Sequence, residues 1–436
     1  MARRVIAARL TVALLVPVVL ATAVATVFSG GQQETAEEPA PRLELWTFVD
    51  THARWFREMA EEVGPDLHPD FELDVSVISY DEMHDRLTVS LQTGIGAPDI
   101  ADVEQGRFGA FLRDEPVGFV DLTDRLTAGG HLDAMVESRL SLYQGAEGQY
   151  YGIEHALTPV VLYYRADVFE EHGITPEDLS TWDDFIEVGR QLSDDTRKMI
   201  ALEDGYVSIL LRQRGTGWFD EEGRIQATSE PLVLDTVNWL LELKDVHDIA
   251  GVRADEDAAH YAALRDGRYL TQLGADWFAG FFKDNLPEME GKWAAMPLPV
   301  WPDDPEGRNT SVMGGTGATI TRFSENVELA WEFLEAVMLS EEGNVRRFEL
   351  TNLFPPYIPA WDNPRLYEPD PYFGGQVLGE LFAELGRDVP RQNQAVNLTL
   401  VHNTLWPESY WLEVVEGRLD PETALERLTA DVQARE

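Results

Sequence analysis

Leu43-Glu44-Leu45-Trp46-Thr47-Phe48, the run from Phe71 to Ile78, and Asp99-Ile100-Ala101-Asp102-Val103 are the stretches whose reading decides the fold. The second alternates cleanly, with Phe71, Leu73, Val75 and Val77 on one face, as a strand in a sheet does. Residues 51–63 and 81–92 read as helices between these strands, and Gly94 to Pro98 punctuates before the third. Strand, helix, strand, helix, strand with short connections implies right-handed crossovers and a parallel sheet. The expected class is α/β.

Working outward, a second α/β region begins near Thr158. Val160-Val161-Leu162-Tyr163-Tyr164 is a β-branched and aromatic strand. Thr181 followed by Asp184 is a helix-start signature. Residues 194–197 break that helix, residues 231–245 form another, and residues 270–274 read as a buried strand leading into Asp276-Trp277. Residues 296–300 are proline-braced extended chain, and residues 313–320 read as a glycine-rich strand. The helix over 326–339 carries an apolar stripe at Val327, Ala330, Trp331, Leu334, Val337 and Met338. Asp420-Pro421-Glu422 supplies an N-cap, a proline at the first helical position and a first-turn acid. No internal repeat is visible.

With 436 residues, two domains are expected. Arg3, Arg4 and Arg9 precede an uncharged apolar run from Leu10 to Phe28, and Val27-Phe28-Ser29 ends it before the polar Gly30-Gly31-Gln32. This reads as a cleaved export signal over 1–29, with a retained anchor helix as its rival. Residues 30–41 are small, acidic and proline-ended, as a linker is. The sequence has no cysteine, which removes a lipid-modified cysteine, disulfides and thiol chemistry. A periplasmic or extracellular location without a lipid anchor follows as the expectation. Asp and Glu number 78 against 34 Lys and Arg, and removing residues 1–29 takes the formal charge from −44 to −47. Such a chain repels nucleic acid and anionic lipid. The acids are spread along the whole chain, as on a solvated surface suited to high salt or secretion.

Searches for catalytic patterns return little. No two histidines sit four apart with a glutamate between, no G-x-S-x-G elbow occurs, and nothing like Lys-Ser follows Gly314-Gly315-Thr316-Gly317. Neither a cofactor nor a metal is expected. The 12 tryptophans are the richer signal. Trp239 and Trp331 lie inside amphipathic helices and read as core, and Trp182 at a helix start packs. Trp46, Trp277, Trp361 and Trp406 stand at strand ends or in loops, where a flat face either stacks on a sugar ring or packs at the edge of a core.

These residues resemble a known family. Leu43 to Phe48, Gly96-Ala97-Pro98-Asp99-Ile100 with Arg107-Phe108-Gly109, and Tyr151-Gly152-Ile153 with Leu162-Tyr163-Tyr164-Arg165 are similar to the family 1 extracellular solute-binding proteins. Thr181 to Phe185, Gly274-Ala275-Asp276-Trp277, Gly314 to Gly317 and the run from Gly417 to Leu425 continue the resemblance, which spans about 42–434. Members are the sugar-capturing components of ABC importers. The resemblance implies a two-lobed, type II periplasmic-binding fold, each lobe a parallel-rich sheet flanked by helices, with three hinge crossings near 154–159, 296–300 and 352–360. The N-lobe would be 42–155 and 301–353, and the C-lobe 156–300 and 354–436. Where maltose-type members carry an aromatic after the third strand, this chain has Val103-Glu104-Gln105-Gly106, which argues against a long maltodextrin.

Ligands of open α/β sheets bind beyond the carboxyl ends of strands. That rule puts Trp46, Glu104, Gln105 and Arg107 on the N-lobe rim, with Asp276 and Trp277 facing them from the C-lobe; Trp406 is set beside that second pair, and Trp361 is a further candidate platform. Gly314 and Gly315 would supply backbone contact. The expected function is capture of a mono- or short oligosaccharide and its delivery to ABC permease subunits in the membrane, by a monomeric, non-enzymatic chain. The rival readings are a secreted carbohydrate-active enzyme and a binder of a cationic or peptide solute.

Overall fold

The structure, a computed structural model, describes residues 41–112, 116–145, 147–254 and 256–435. The expected export signal over 1–29, and the linker up to residue 40, lie outside the described residues. Among the described residues two five-stranded sheets form, one in each lobe.

In the first sheet β1 (Arg42–Thr47) lies between β2 (Glu72–Val77) and β3 (Ile100–Glu104), all parallel. The helix Asp50–Leu67 connects β1 to β2, and Tyr80–Thr93 connects β2 to β3. Successive side chains of β1 point to opposite faces. Leu43 and Leu45 therefore enter the core under helices Asp50–Leu67 and Val327–Met338, while Trp46 enters a second core with Met83 and Leu87. The alternation of 71–78 is only partly buried, with Val75 in the core but Val77 exposed.

Two further strands complete this sheet, β4 (Ile153–Glu154) and β10 (Thr316–Ile320); β10 runs against the parallel set, and β4 on its far side runs with it. β10 is antiparallel to β3 and to β4, so the sheet is mixed. The strand read over 313–320 is shorter than expected because Gly314 and Gly315 leave extended geometry, with φ of +69° and +145°.

The second sheet has the order β7-β6-β8-β5-β9, built from β5 (Val160–Arg165), β6 (Lys198–Leu202), β7 (Ala250–Val252), β8 (Tyr269–Ala275) and β9 (Trp293–Met296). β6, β7 and β8 are parallel, and β5 is antiparallel to β8 and β9. Every residue of β5 is buried, because helices cover both faces of this sheet. The helix Trp182–Leu192 begins as its sequence dictates: Thr181 Oγ1 accepts from Asp184 N, and the Asp184 carboxylate accepts from Thr181 N at 2.8 Å. Asp420 caps Pro421–Gln433 by accepting from Thr423 N at 2.9 Å.

The chain leaves the first sheet after Glu154 and enters the second at Val160. It returns between Met296 and Thr316, and the segment up to Val312 still packs with the second sheet. Trp301 sits among Trp182 and Trp239 with its Nε1 donating to Gln213 Oε1, and Thr310 and Ser311 bond β5 and the helix Gly205–Gln213. A third passage follows the helix Glu341–Thr351, which meets the first lobe where Trp55 Nε1 donates to Gly343 O and the second through Val345 and Phe348, in whose cluster Phe354 is also buried.

Candidate functional site

Between the sheets' carboxyl ends lies a cavity of about 220 Å³. Phe48 and Val49 follow β1, Thr51 and His52 open the next helix, and Glu104 ends β3. His155 to Thr158 lead out of β4, Trp277 to Phe281 follow β8, and Gly314 to Thr316 lead into β10. Thr351 and Leu353 close the wall. All three passages between the lobes thus border it.

The passages are pinned by buried charge. Arg139 and Glu154 form an ion pair of 2.9 Å with both side chains buried. Arg139 also donates to Ala156 O and Gly314 O, and Glu154 Oε1 accepts from the backbone of His155, Ala156 and Thr316. One ion pair therefore fastens the first passage to the second. A Cβ on Gly315 would collide with both partners, so only glycine fits there. Asp276 does the same for the third passage: Oδ2 accepts from Phe354 N at 2.8 Å and Oδ1 from Trp277 N at 2.9 Å. Burial pushes the Asp276 carboxyl up to about 7, against the pull of those two amides. Thr158 holds a left-handed φ of 53° and donates to Gly314 O at 3.3 Å. A β-branched residue in that region is strained, and such strain gathers where chains hinge or bind.

Beneath the cavity, Asp102 Oδ2 lies 3.1 Å from His52 Nδ1 and Oδ1 lies 2.9 Å from His155 Nε2. Burial pushes the Asp102 carboxyl up, but His155 and then His52 outweigh it and hold the group below the ordinary carboxylate range. Burial, partly offset by Asp102, pulls His155 down to about 3. These three residues also have ligand atoms within 4.8 Å of one another, as a metal site would. Their imidazoles, however, stack at 4.2 Å with planes 18° apart. Nearly parallel rings direct their in-plane lone pairs side by side rather than onto one ion. The arrangement is that of a hydrogen-bonded triad.

Of the ten residues picked from sequence, the structure brings Glu104, Trp277, Gly314 and Gly315 to the cavity. Glu104 Oε2 accepts from Tyr80 Oη and Gly106 N, and burial pushes its carboxyl up to about 7. Trp277 stacks on Phe278 and donates from Nε1 to Met313 O at 3.2 Å, leaving a half-buried ring at the cavity wall. Asp276 stands just behind, committed to the backbone. Gln105 bonds Gln392 across the lobes at 3.1 Å, and Arg107 lies over the Tyr80 ring and pairs with Asp81.

The structure does not bring Trp46, Trp361 or Trp406 there. Trp46 is core and donates to Glu44, Trp361 packs on Phe354 and donates to Pro355 O, and Trp406 is wedged between Trp218 and Trp411. Conversely, the sequence reading passed over Phe48, His52, Asp102, His155 and Phe281. One signal for them was present: a carboxylate inside the apolar run Ile100-Ala101-Asp102-Val103 demands a buried partner.

Comparison with known proteins places this geometry. The sequence model of the bacterial extracellular solute-binding protein family matches residues 50–345. An arabinooligosaccharide-binding protein of Halalkalibacterium halodurans is 32% identical over 83% of this chain and 81% of its own length. Its namesake in Bacillus subtilis is 32% identical over 84% of each chain, and a lactose-binding protein of Rhizobium radiobacter 26% over 76% and 78%. Among solved structures, an ABC-transporter-associated binding protein of B. animalis subsp. lactis, in complex with β-1,6-galactobiose, superposes with a TM-score of 0.74. That match covers 90% of this chain and 97% of the other at 17% identity, a likeness of fold. The chain belongs to the family of bacterial extracellular solute-binding proteins, a family of binders with the two-lobed fold.

Proposed function

We propose that this protein captures a mono- or short oligosaccharide between its lobes and delivers it to the permease of an ABC importer. The observation that carries the reading is the cavity bordered at once by both lobes and all three passages, with the Trp277 ring and the Glu104 carboxylate on its wall. An indole face suits the C–H face of a sugar ring, and a carboxylate suits its hydroxyls. Two of the relatives described above are named for arabinooligosaccharides, and the third for lactose, which favours saccharides over other polar solutes. At about 220 Å³ the cavity falls below the roughly 300–1,000 Å³ of pockets for drug-sized ligands. Its size therefore favours one or two sugar rings over a long dextrin.

Ligand held by both lobes would favour the closed state by its differential affinity for closed over open. The reading includes export with removal of residues 1–29, a monomer, no catalytic residue and no cofactor. The lobe limits proposed are 42–155 with 301–353 and 156–300 with 354–436, with one shift: residues 301–312 move to the second lobe, where Trp301 packs. A thermal-shift screen over arabinobiose, lactose, galactose and maltose tests the function, since a ligand raises apparent stability by RT ln(1 + [L]/Kd). Stabilisation by at least one is expected. No shift with any saccharide, alongside a shift with cationic peptides, would reject the sugar reading.

A further inference from the structure

Three covalent passages join the lobes; a fourth connection is not covalent. Residues 391–403 belong to the second lobe, with Leu398 and Val401 in its core, yet their polar groups reach the first lobe at four points. Gln392 Oε1 accepts from Gln105 Nε2 at 3.1 Å, and Asn403 Nδ2 donates to Tyr80 Oη at 2.9 Å. Thr399 Oγ1 donates to Gly106 O, and Arg391 pairs with Glu137. Backbone approaches closely as well. A Cβ on Gly109 would stand 2.9 Å from Ala395 O, so the helix Gln105–Phe111 lies against the segment with no room for a methyl group.

This seam is built to part. Its bonds are polar, and a group that loses its partner on opening gains water instead, so each bond is worth little net. Gln105 Oε1, Gln392 Nε2 and Gln394 Oε1, the last beside Gly109, are buried there without a partner among the described residues. Opening relieves that cost. Bonds that favour the shut seam and orphaned amides that disfavour it leave two arrangements close in free energy, as a switching interface requires.

Tyr80 links the seam to the cavity. Its hydroxyl accepts from Asn403 and donates to Glu104 Oε2 at 3.0 Å, and Glu104 stands on the cavity wall. No residue of 391–403 lines the cavity itself.

Resting on the reading that the ligand is held between the lobes, we infer that residues 391–403 are a latch. They grip Tyr80 and the helix Gln105–Phe111, populate the closed arrangement before a ligand arrives, and slow its release afterwards. Asn403 is a positioning residue that acts on the cavity through Tyr80 and Glu104. The latch sets affinity through the fraction of protein that is closed, since the apparent dissociation constant is the intrinsic one divided by that fraction.

The test uses the full exported chain. The sequence has no cysteine, so Glu61→Cys and Glu426→Cys, exposed on one helix of each lobe, carry a spin-label pair whose separation reports closure. Without saccharide the wild-type protein should show a closed population beside an open one. Gly109→Ala wedges the seam at Ala395 O from outside the cavity, and should remove the closed population. Its melting temperature should hold, because alanine suits a helix better than glycine does. Lactose and arabinobiose should then bind about tenfold more weakly, with the loss in the dissociation rate, if the closed fraction falls about tenfold. Asn403→Ala, which leaves the backbone of the seam alone, should shift the populations the same way and decides the matter if Gly109→Ala fails to fold. A wild-type protein wholly open without saccharide, or folded variants whose label separations match the wild type, overturns the latch. Failure of both sugars to bind the wild type counts against the sugar reading instead, and the label separations still decide the latch.

Discussion

Two tryptophans offer a test that separates the proposed binding site from the folding core. Trp277 is half-buried at the cavity wall, its indole N–H spent on Met313 O, so its face is the part left for a ligand. Trp331 is 6% exposed inside the helix Val327–Met338, packed in the core of the first lobe. Trp277→Ala should weaken saccharide binding by about 30-fold, the loss of roughly 2 kcal/mol expected of a buried aromatic anchor. Calorimetric titration beside a circular-dichroism spectrum checks it, and a folded variant with unchanged affinity would remove Trp277 from the site. Trp331→Ala should instead lower the unfolding free energy by about 3–5 kcal/mol in urea, with ligand affinity kept in the folded fraction. Sequence placed Trp331 correctly because helical periodicity names a core face. It could not separate Trp277 from Trp46 and Trp406, because a tryptophan beside a strand end has the same neighbours in sequence whether it faces a cleft or turns back into the core. Direction there is set by packing between elements distant in the chain.

At the scale of elements, the joints between lobes are fastened by carboxylates that accept backbone N–H groups. Glu154 takes three amides and the Arg139 guanidinium, all out of water. Glu154→Gln keeps the shape but leaves the Arg139 charge buried without its partner, a change that typically costs about 3–5 kcal/mol. Chemical denaturation should show that loss, and a variant as stable as the parent would mean that water reaches the pair. Thr181→Ala, which removes one half of the capping box on Trp182–Leu192, should cost only about 1 kcal/mol. That box, the helix Pro231–Asp245 and the Asp420 cap were legible in the sequence because each is decided by residues within four positions of one another. That β1, β2 and β3 run parallel was legible too, since short helical crossovers leave few alternatives, whereas their order in the sheet was not read. The Arg139–Glu154 clamp and the Asp102 triad were not. Their partners lie 15, 50 and 53 residues apart, and nothing local to Arg139, His52 or His155 marks them. The course of 301–312 was missed for a related reason: the proline-braced run at 296–300 looks like a joint, while the packing of Trp301 on Trp182 that extends the second lobe is a contact between remote segments.

The molecule as a whole carries a formal charge of −44, and its response to salt and acid follows from where charges sit. Dispersed surface acids repel one another over about a Debye length, roughly 10 Å at 0.1 M salt, so added salt should raise the melting temperature until that repulsion is screened. The pH dependence has two opposing parts. Burial pulls His84 and His260 down to about 4 and His155 and His402 down to about 3. As acid is added, the unfolded chain takes up those protons near its ordinary histidine value while the folded chain does not, so these groups make stability rise with pH and are exhausted above about 6.5. Glu104, Glu203 and Asp276 do the reverse, burial raising each carboxyl to about 7. Between the ordinary carboxylate value and 7 the folded chain holds protons that the unfolded chain has released, so stability falls as pH rises through that window. Below about pH 6.5 the two sets oppose each other; above it only the carboxyls remain, and they act together with the growing negative charge. Asp102, held low by its histidines, adds a loss of stability only when acid protonates it. A melting temperature that peaks at mildly acidic pH, near about 6, and declines toward about 8 is therefore expected. Scanning fluorimetry across that range at fixed high salt isolates the buried groups from surface repulsion. A melting temperature that climbs steadily to pH 8 under those conditions would show that the three buried carboxyls ionise in the folded protein as easily as they do in the unfolded chain.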